Sequence, residues 1–433
     1  MSAQSPVLPY ESAVDRGDRP ALTVGLITLL HAFTHALQML LVPLYLMVKD
    51  SLHLPGVKSV ALVVAAYYVT YFGLSYFAGV LSDRFDRKIL LAVGLIGNSA
   101  AILAMGLTHH YGVILALGVV AGLFGTIFHP AANALATAHY PRNPGMTIGI
   151  VGIGAGVGFF FGPRYAGWRA ADAGWERPLI EVGAAGVITG VIFWLVAREV
   201  RRRHGIDGPA AEPRVHRPLG AVTRNRVLAA AALLGWRDFA SQAATTLAAI
   251  FLLKAQNRTE AETGLILGVM MLSSIVINPI VVWFSPRRRR LPVLVASLVT
   301  GGAIIALLPH AGPGATLLVL MAFQTCSLSS FALGDAAMLE RIDPDLRGRV
   351  IGLFLSLAGT LGATAPWFMS GWTDRMGDGA NSPASYVVPF AVVGAMMAFS
   401  ALSAPLIARF GRPATSPASR QDAEDRAMMA GEM

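Results

Sequence analysis

Charge is scarce in this chain. Only 14% of its 433 residues are Asp, Glu, Lys or Arg, against roughly 25% in soluble domains. That deficit excludes an ordinary water-solvated surface and points to lipid as the main solvent. Cysteine is scarcer still: Cys326 stands alone. It forms no intrachain disulfide, and its apolar setting marks it as a small packing residue that says nothing about compartment. There is no GxxxxGK[ST] phosphate loop, no soluble domain to hold a nucleotide and no nucleophile beside a legible base. Neither ATP-driven work, enzymatic catalysis nor a cofactor is therefore expected. Residues 1–20 carry Glu11, Asp15 and Asp18 with no compact apolar core before a small-residue cleavage site, so no cleaved signal peptide is expected.

What the chain has in abundance is apolar runs of about 20 residues, long enough to cross a bilayer as helix. Twelve are read, near 21–47, 57–82, 88–108, 111–139, 145–168, 178–197, 227–254, 262–284, 291–309, 313–340, 346–371 and 385–408. Helix is forced on them even where Gly and Ser recur, because unpaired backbone in lipid costs more than poor propensity. The fold class expected is an all-α polytopic membrane protein with twelve transmembrane helices.

A formal charge of +9 invites a nucleic-acid reading, yet its distribution speaks for topology. With an even span number both termini share one side. Most of the 34 Lys and Arg then fall on that side, among them Arg84, Arg87, Lys88, Arg198, Arg201 to Arg203 and Arg287 to Arg290. The positive-inside rule puts the termini in the cytoplasm, with lipid headgroups and no nucleic acid as the partner of the basic loops.

The longest internal polar stretch, 198–226 with "REVRRRHGIDGPAAEPRVHRP", reads as a cytoplasmic linker between a first half, 21–197, and a second, 227–408; 1–20 and 409–433 are cytoplasmic tails. The halves resemble each other. Pro141, Gly149, Gly156 and Pro163 recur at the spacings of Pro344, Gly352, Gly359 and Pro366, and "GPRYAGW" parallels "APWFMSGW". Duplicated six-helix halves place a binding site near the midplane, and rocking of one half on the other gives alternating access.

The stretch Gly79-Val80-Leu81-Ser82-Asp83-Arg84-Phe85-Asp86-Arg87-Lys88 resembles the G-x-x-x-D-[RK]-x-G-[RK]-[RK] signature of the major facilitator superfamily, with Asp86 where Gly is usual. The resemblance implies that Asp83 pairs with a neighbouring helix end and latches the outward-facing state, while Arg84, Arg87 and Lys88 face headgroups. At the matching place in the second half, "WFSPRRRR" keeps the charge and lacks the acid. "GIGAGVGFFFGPRYAG" is similar to the Gly-Pro motif of antiporters in that superfamily. Its Gly154, Gly158 and Gly162 permit close helix approach, and Pro163 loosens the hydrogen-bond ladder. "HAFTHALQM" and "LFGTIFHPAANA" resemble the first and fourth spans of fosmidomycin-resistance-type exporters. Met39 and Ala131 stand where those carry acids.

Ionisable groups at membrane depth each need a reason, since a charge at a helix centre costs roughly 2.5–3.5 kcal/mol on insertion scales. His31, His35 and Gln38 share one arc of the first span; Thr126, His129 and Asn133 share another on the fourth. In span seven Arg237, Ser241 and Thr245 form a stripe, with Asp238 about 100° away, and span ten holds Gln324, Asp335 and Glu340. Aligning Tyr45 with Phe251 opposes His31 to Arg237, and "FHPAA" laid on "LGDAA" brings His129 within one position of the Asp335 register.

The leading function is a secondary active transporter in the inner membrane, a monomer exporting a small organic, anionic or drug-like solute by proton antiport. Arg237 would hold the anion with Ser241, Thr245 and Gln38, while the histidines, Asn133, Asp238 and Asp335 complete a substrate and proton cavity. A copper or zinc permease using His31, His35 and Met39 is the competing reading. It is disfavoured by the positive charge of Arg237 opposite. A non-transporting sensor on the same fold is the third.

Overall fold

The computed structural model describes residues 19–140, 143–199, 220–286, 288–342 and 346–410. Residues 1–18 and 411–433 of the tails and 200–219 of the linker lie outside them, as do Pro141 and Pro344 of the internal repeat. Every regular element among the described residues is helical. Helix α1 (Pro20–Met39) continues through a tight turn at Val42–Leu44 into α2 (Tyr45–Ser51). Helices α3 (Val57–Gly73), α4 (Ser75–Arg84) and α5 (Arg87–Met105) follow, then α6 (Tyr111–Gly125) running into α7 (Phe128–His139). Next come α8 (Pro144–Ala173) and α9 (Glu176–Val196). Beyond the linker, α10 (Ala221–Ile250) ends in a wide turn, Phe251–Ala255, before α11 (Glu260–Phe284), α12 (Arg290–Ala306) and α13 (Thr316–Leu339). The last are α14 (Arg347–Ala363) with α15 (Ala365–Arg375), then α16 (Val387–Phe399) and α17 (Ala404–Ala408).

Local chemistry explains several helix ends. Pro20 opens α1, where a missing N–H is no loss. Asp86, the residue that departs from the family signature, caps α5 by accepting from the Ile89 N–H at 3.0 Å. Within α1, Thr28 and Thr34 donate to the carbonyls of Val24 and Leu30, which keeps their hydroxyls satisfied in an apolar setting.

Nine helical segments among the described residues are long and apolar enough to cross a membrane, and α3 with α4 makes a tenth if taken together. The span expected as continuous over 57–82 is bent by 48° at Leu74. Leu74 lies between Gly73 and Ser75, and a Gly/Ser break is a regular cause of such a kink. Helices α10 and α11 are outside that set; α10 carries Arg224, Arg226, Arg237 and Asp238. Large apolar side chains face outward in number, Phe77, Leu195, Leu318 and Phe284 among them. A soluble protein avoids such a surface; lipid accepts it. This is a multi-pass membrane protein.

Helix α8 positions the site. One of its faces lies against α1 through Gly154, Gly158 and Gly162, where an added Cβ would strike the carbonyl oxygens of Thr28, Ala32 and Ala36 in turn. Its other face meets α11, whose Gly264 and Gly268 sit on the carbonyls of Pro163 and Phe160. Small residues let the backbones touch, and dispersion over that contact replaces the hydrophobic drive that lipid does not provide. Helix α8 runs unbroken through Pro163. Helix α3 packs against both α14 and α15.

Candidate functional site

Close approach of α8 brings the Val151 carbonyl within 2.7 Å of His31 Nδ1. One turn along α1, His35 Nδ1 lies 2.7 Å from Gln38 Oε1, and the two Nε2 atoms of His31 and His35 are 3.0 Å apart. The third member arrives from α7. The His129 ring centroid is 5.2 Å from that of His31 and 5.7 Å from that of His35. One nitrogen from each imidazole falls within 4.8 Å of the other two. Phe128 stacks on His31 and Phe159 on His35, at 4.7 and 4.2 Å between centroids, so each ring's plane is fixed by packing. His31 and His35 are buried and His129 is half-buried.

Met39, the third ligand of the competing metal reading, is outside this cluster. Its sulfur lies 3.9 Å from the Tyr68 hydroxyl. Asn133 is exposed one turn beyond His129, its carbonyl accepting from Thr137.

A second centre forms where α10, α13 and α14 meet. Arg237 is fully buried. Its Nε donates to Asp238 Oδ1 at 2.8 Å, Nη2 lies 2.7 Å from the same oxygen, and Nη1 donates to the Ser330 carbonyl at 3.1 Å. The guanidinium also rests 3.7 Å over the ring of Phe331. The sequence expectation that Asp238 points away and compensates Arg237 only in part is corrected here. Adjacent Cα positions diverge by about 100°, but the arginine stem is long enough to fold back onto its neighbour. Asp335 is half-buried and within electrostatic reach of both. Thr245 donates to the Ser241 carbonyl at 3.0 Å, and the Ser241 hydroxyl accepts from Ser327 of α13 at 3.1 Å.

In the signature loop, Gly79 meets nothing that a Cβ would touch, and Asp83 and Arg84 are exposed at the end of α4. Arg87 and Lys88 are half-exposed in the first turn of α5. The Lys88 N–H donates to Glu199 Oε2 at 3.0 Å, and burial pushes the Glu199 carboxyl above the usual range against that bond. The second half's missing acid is supplied from elsewhere, since Arg290 pairs with Glu340 at the end of α13. At the opposite end of α3, Asp374 of α15 accepts from the N–H groups of Val57 and Lys58 at 2.9 and 2.8 Å, and Lys58 Nζ sits 4.0 Å over Trp367. Sequence reading singled out neither Glu199 nor Asp374; each partners a segment more than a hundred residues away.

This chain belongs to the Major Facilitator Superfamily, whose family model its residues 24–366 match, with a second match over 238–429. Membership of that family marks it as a transporter and not an enzyme. Among curated proteins it is similar to the puromycin resistance protein pur8 of Streptomyces alboniger, with 30% identity over 179 residues, 37% of this chain and 34% of that protein. The match thus spans about a third of the relative's length. Two solved structures share the fold. One is a bacterial homolog of the human lysosomal transporter Spinster in an inward-facing, occupied conformation, with TM-score 0.71 and 16% identity over 92% of this chain and 98% of that one. The other is the nucleoside transporter NupG, with TM-score 0.71 and 13% identity over 89% of this chain and all of that one, 100%.

Proposed function

We propose that the protein is a proton-coupled secondary transporter of the inner membrane that exports a small organic, anionic or drug-like solute by alternating access. The observation that carries this reading is the histidine cluster itself. Three imidazoles meet at the α1–α7 contact, deep in a membrane protein, where ionisable groups are costly unless they serve a pathway. Imidazole is the side chain whose unperturbed titration lies nearest physiological pH. Kinship over a third of its length with a puromycin resistance protein supports export.

Twelve spans in two six-helix halves are part of the reading. Helix α1 packs on α8 as α10 packs on α14, and α5 on α9 as α12 on α16, with α8 against α11 and α3 against α14 crossing between the halves. The chain works as a monomer with both termini cytoplasmic, and a reporter fused at 433 should read as cytoplasmic. Because Asp238 already neutralises Arg237, solute anion contacts Arg237 only once that pair opens, and Ser241, Thr245, Gln38, Asn133 and Asp335 line its path.

The test is uptake into proteoliposomes with and without an imposed pH gradient, using organic anions and puromycin as probes. Gradient-driven accumulation is expected, with His35→Ala losing most of the pH-driven component. Transport indifferent to the gradient in the unsubstituted protein would remove proton coupling.

A further inference from the structure

The contact between His31 and His35 poses a problem of hydrogens. A backbone carbonyl only accepts, so His31 Nδ1, 2.7 Å from the Val151 oxygen, carries the proton and leaves Nε2 with a lone pair. His35 Nδ1 faces Gln38 Oε1 in the same way, which likewise leaves its Nε2 as a lone pair. Those two lone pairs then point at each other across 3.0 Å. Two acceptors cannot bond; a positive centre belongs between them. A proton satisfies two nitrogens and no more. A third imidazole stands beside the pair, its nitrogen within 4.8 Å of both, and no hydrogen bond claims the His129 ring among the described residues.

Three neutral imidazoles around one point, two of them held through the distal nitrogen by an oxygen acceptor, are what a transition-metal dication requires of its ligands and of the groups behind them. We propose that His31, His35 and His129 form a binding site for a divalent transition metal of the zinc class. The metal competes there with the coupling proton; that competition, though not the binding, rests on the transport reading above. An all-nitrogen set suits Zn2+, Cu2+, Ni2+ or Co2+ over Mg2+ or Ca2+, which prefer oxygen. Three ligands leave the fourth position open to water or an anion.

The neighbourhood tolerates the charge. The groups against the cluster are Gln38, Phe128, Phe159, the Val151 carbonyl and, 6.2 Å from His129 between ring centroids, Tyr71, none of them cationic. The sequence expectation of no metal leaned on a charge at Arg237 that Asp238 compensates only partly, and in the structure Asp238 pairs with it directly. Gln38 acts as the selector. With its oxygen toward His35 both Nε2 lone pairs are free for metal, whereas with its NH2 group there His35 Nε2–H donates to His31 and no cation is needed.

The full chain in detergent micelles is titrated with ZnCl2 by calorimetry, and with CoCl2 by visible absorption, which reports four-coordinate geometry. One Zn2+ per chain is expected, with a zinc-dependent rise in melting temperature. His35→Ala and His129→Ala should each weaken binding about 100-fold or more and Gln38→Ala about tenfold, while Met39→Leu and His109→Ala leave it unchanged. His109 is the control because it pairs with Glu176 at the surface, a second place where an imidazole and a carboxylate could take up zinc. Binding that survives His129→Ala, or that is lost in His109→Ala, overturns the proposal, as does the absence of zinc binding by the unsubstituted protein. Should an alanine variant fail to fold, His129→Gln is read in its place and the zinc-dependent melting shift must vanish. In proteoliposomes zinc should inhibit gradient-driven transport. Zinc binding without any gradient-driven transport would defeat the transport reading alone, and transport without zinc binding would defeat the metal site alone.

Discussion

At Arg237 a guanidinium sits at zero exposure in a membrane protein, held by one carboxylate oxygen, one carbonyl and one aromatic face. Breaking such a buried pair from one side costs about 3–5 kcal/mol, because the survivor is left charged and dry. Asp238→Ala should therefore lower the melting temperature in detergent sharply, while Arg237→Met combined with Asp238→Leu should recover most of the loss. If both variants melt together, the pair has no structural weight and its whole role is in transport. Residues are also where the sequence was read with most mixed success. The i,i+4 spacing of His31 and His35 made their meeting legible, and His129 could be placed on an inward arc. That His129 and not Met39 would join them depends on how α7 leans on α1, which no local pattern encodes.

Among the helices, α8 shows how a glycine's weight depends on its position. At Gly158 a Cβ would strike the Ala32 carbonyl, whereas at Gly149 it would meet nothing within 4 Å. Gly158→Ala should cost about 1–3 kcal/mol as an overpacking substitution, and Gly149→Ala should be neutral or slightly favourable. Thermal unfolding of the two variants side by side checks this; equal melting points would mean that α1 and α8 are not in backbone contact. The glycine spacing was visible in sequence as a packing motif. Its partner helix was not, since a smooth face fits any neighbour, and the bend at Leu74 was likewise hidden inside an unbroken apolar run. Asp374, reaching from α15 to cap α3, shows the same limit: the two segments lie 317 residues apart.

Across the whole molecule, α3 and α4 are tied differently at their two ends. Asp374 clasps the start of α3, while Asp83 at the end of α4 is exposed with no ion pair among the described residues. A carboxylate that latches in only one conformation is free in the other. Asp83→Asn should then remove charge-assisted bonds worth about 1.5–3 kcal/mol each from the state in which they form, a shift of roughly tenfold to a hundredfold in population. Labelling of single cysteines placed at the two ends of α14, in a Cys326→Ser background, reads that shift as increased cytoplasmic-side accessibility. Unchanged labelling at both ends would reduce the signature to a determinant of topology. Scarce charge and repeated apolar length were enough to read the membrane class from sequence, because lipid imposes both on any chain that crosses it.

The α1–α8 contact has a mechanical meaning. Three glycines against three carbonyls form a track without teeth, so α8 meets little interlocking resistance to movement along α1. Near the histidines Phe159 of α8 stacks on His35, and the hydrogen-bonded hook across the contact is the bond from His31 to the Val151 carbonyl, 2.7 Å long. One residue of helix rise is about 1.5 Å, and travel by that amount along the track breaks the hook and frees His31 Nδ1 to change tautomer. Axial displacement of α8 would thereby be geared to the position of the proton on the His31 ring, and α8, packed on its other face against α11, would be the rack that carries such motion.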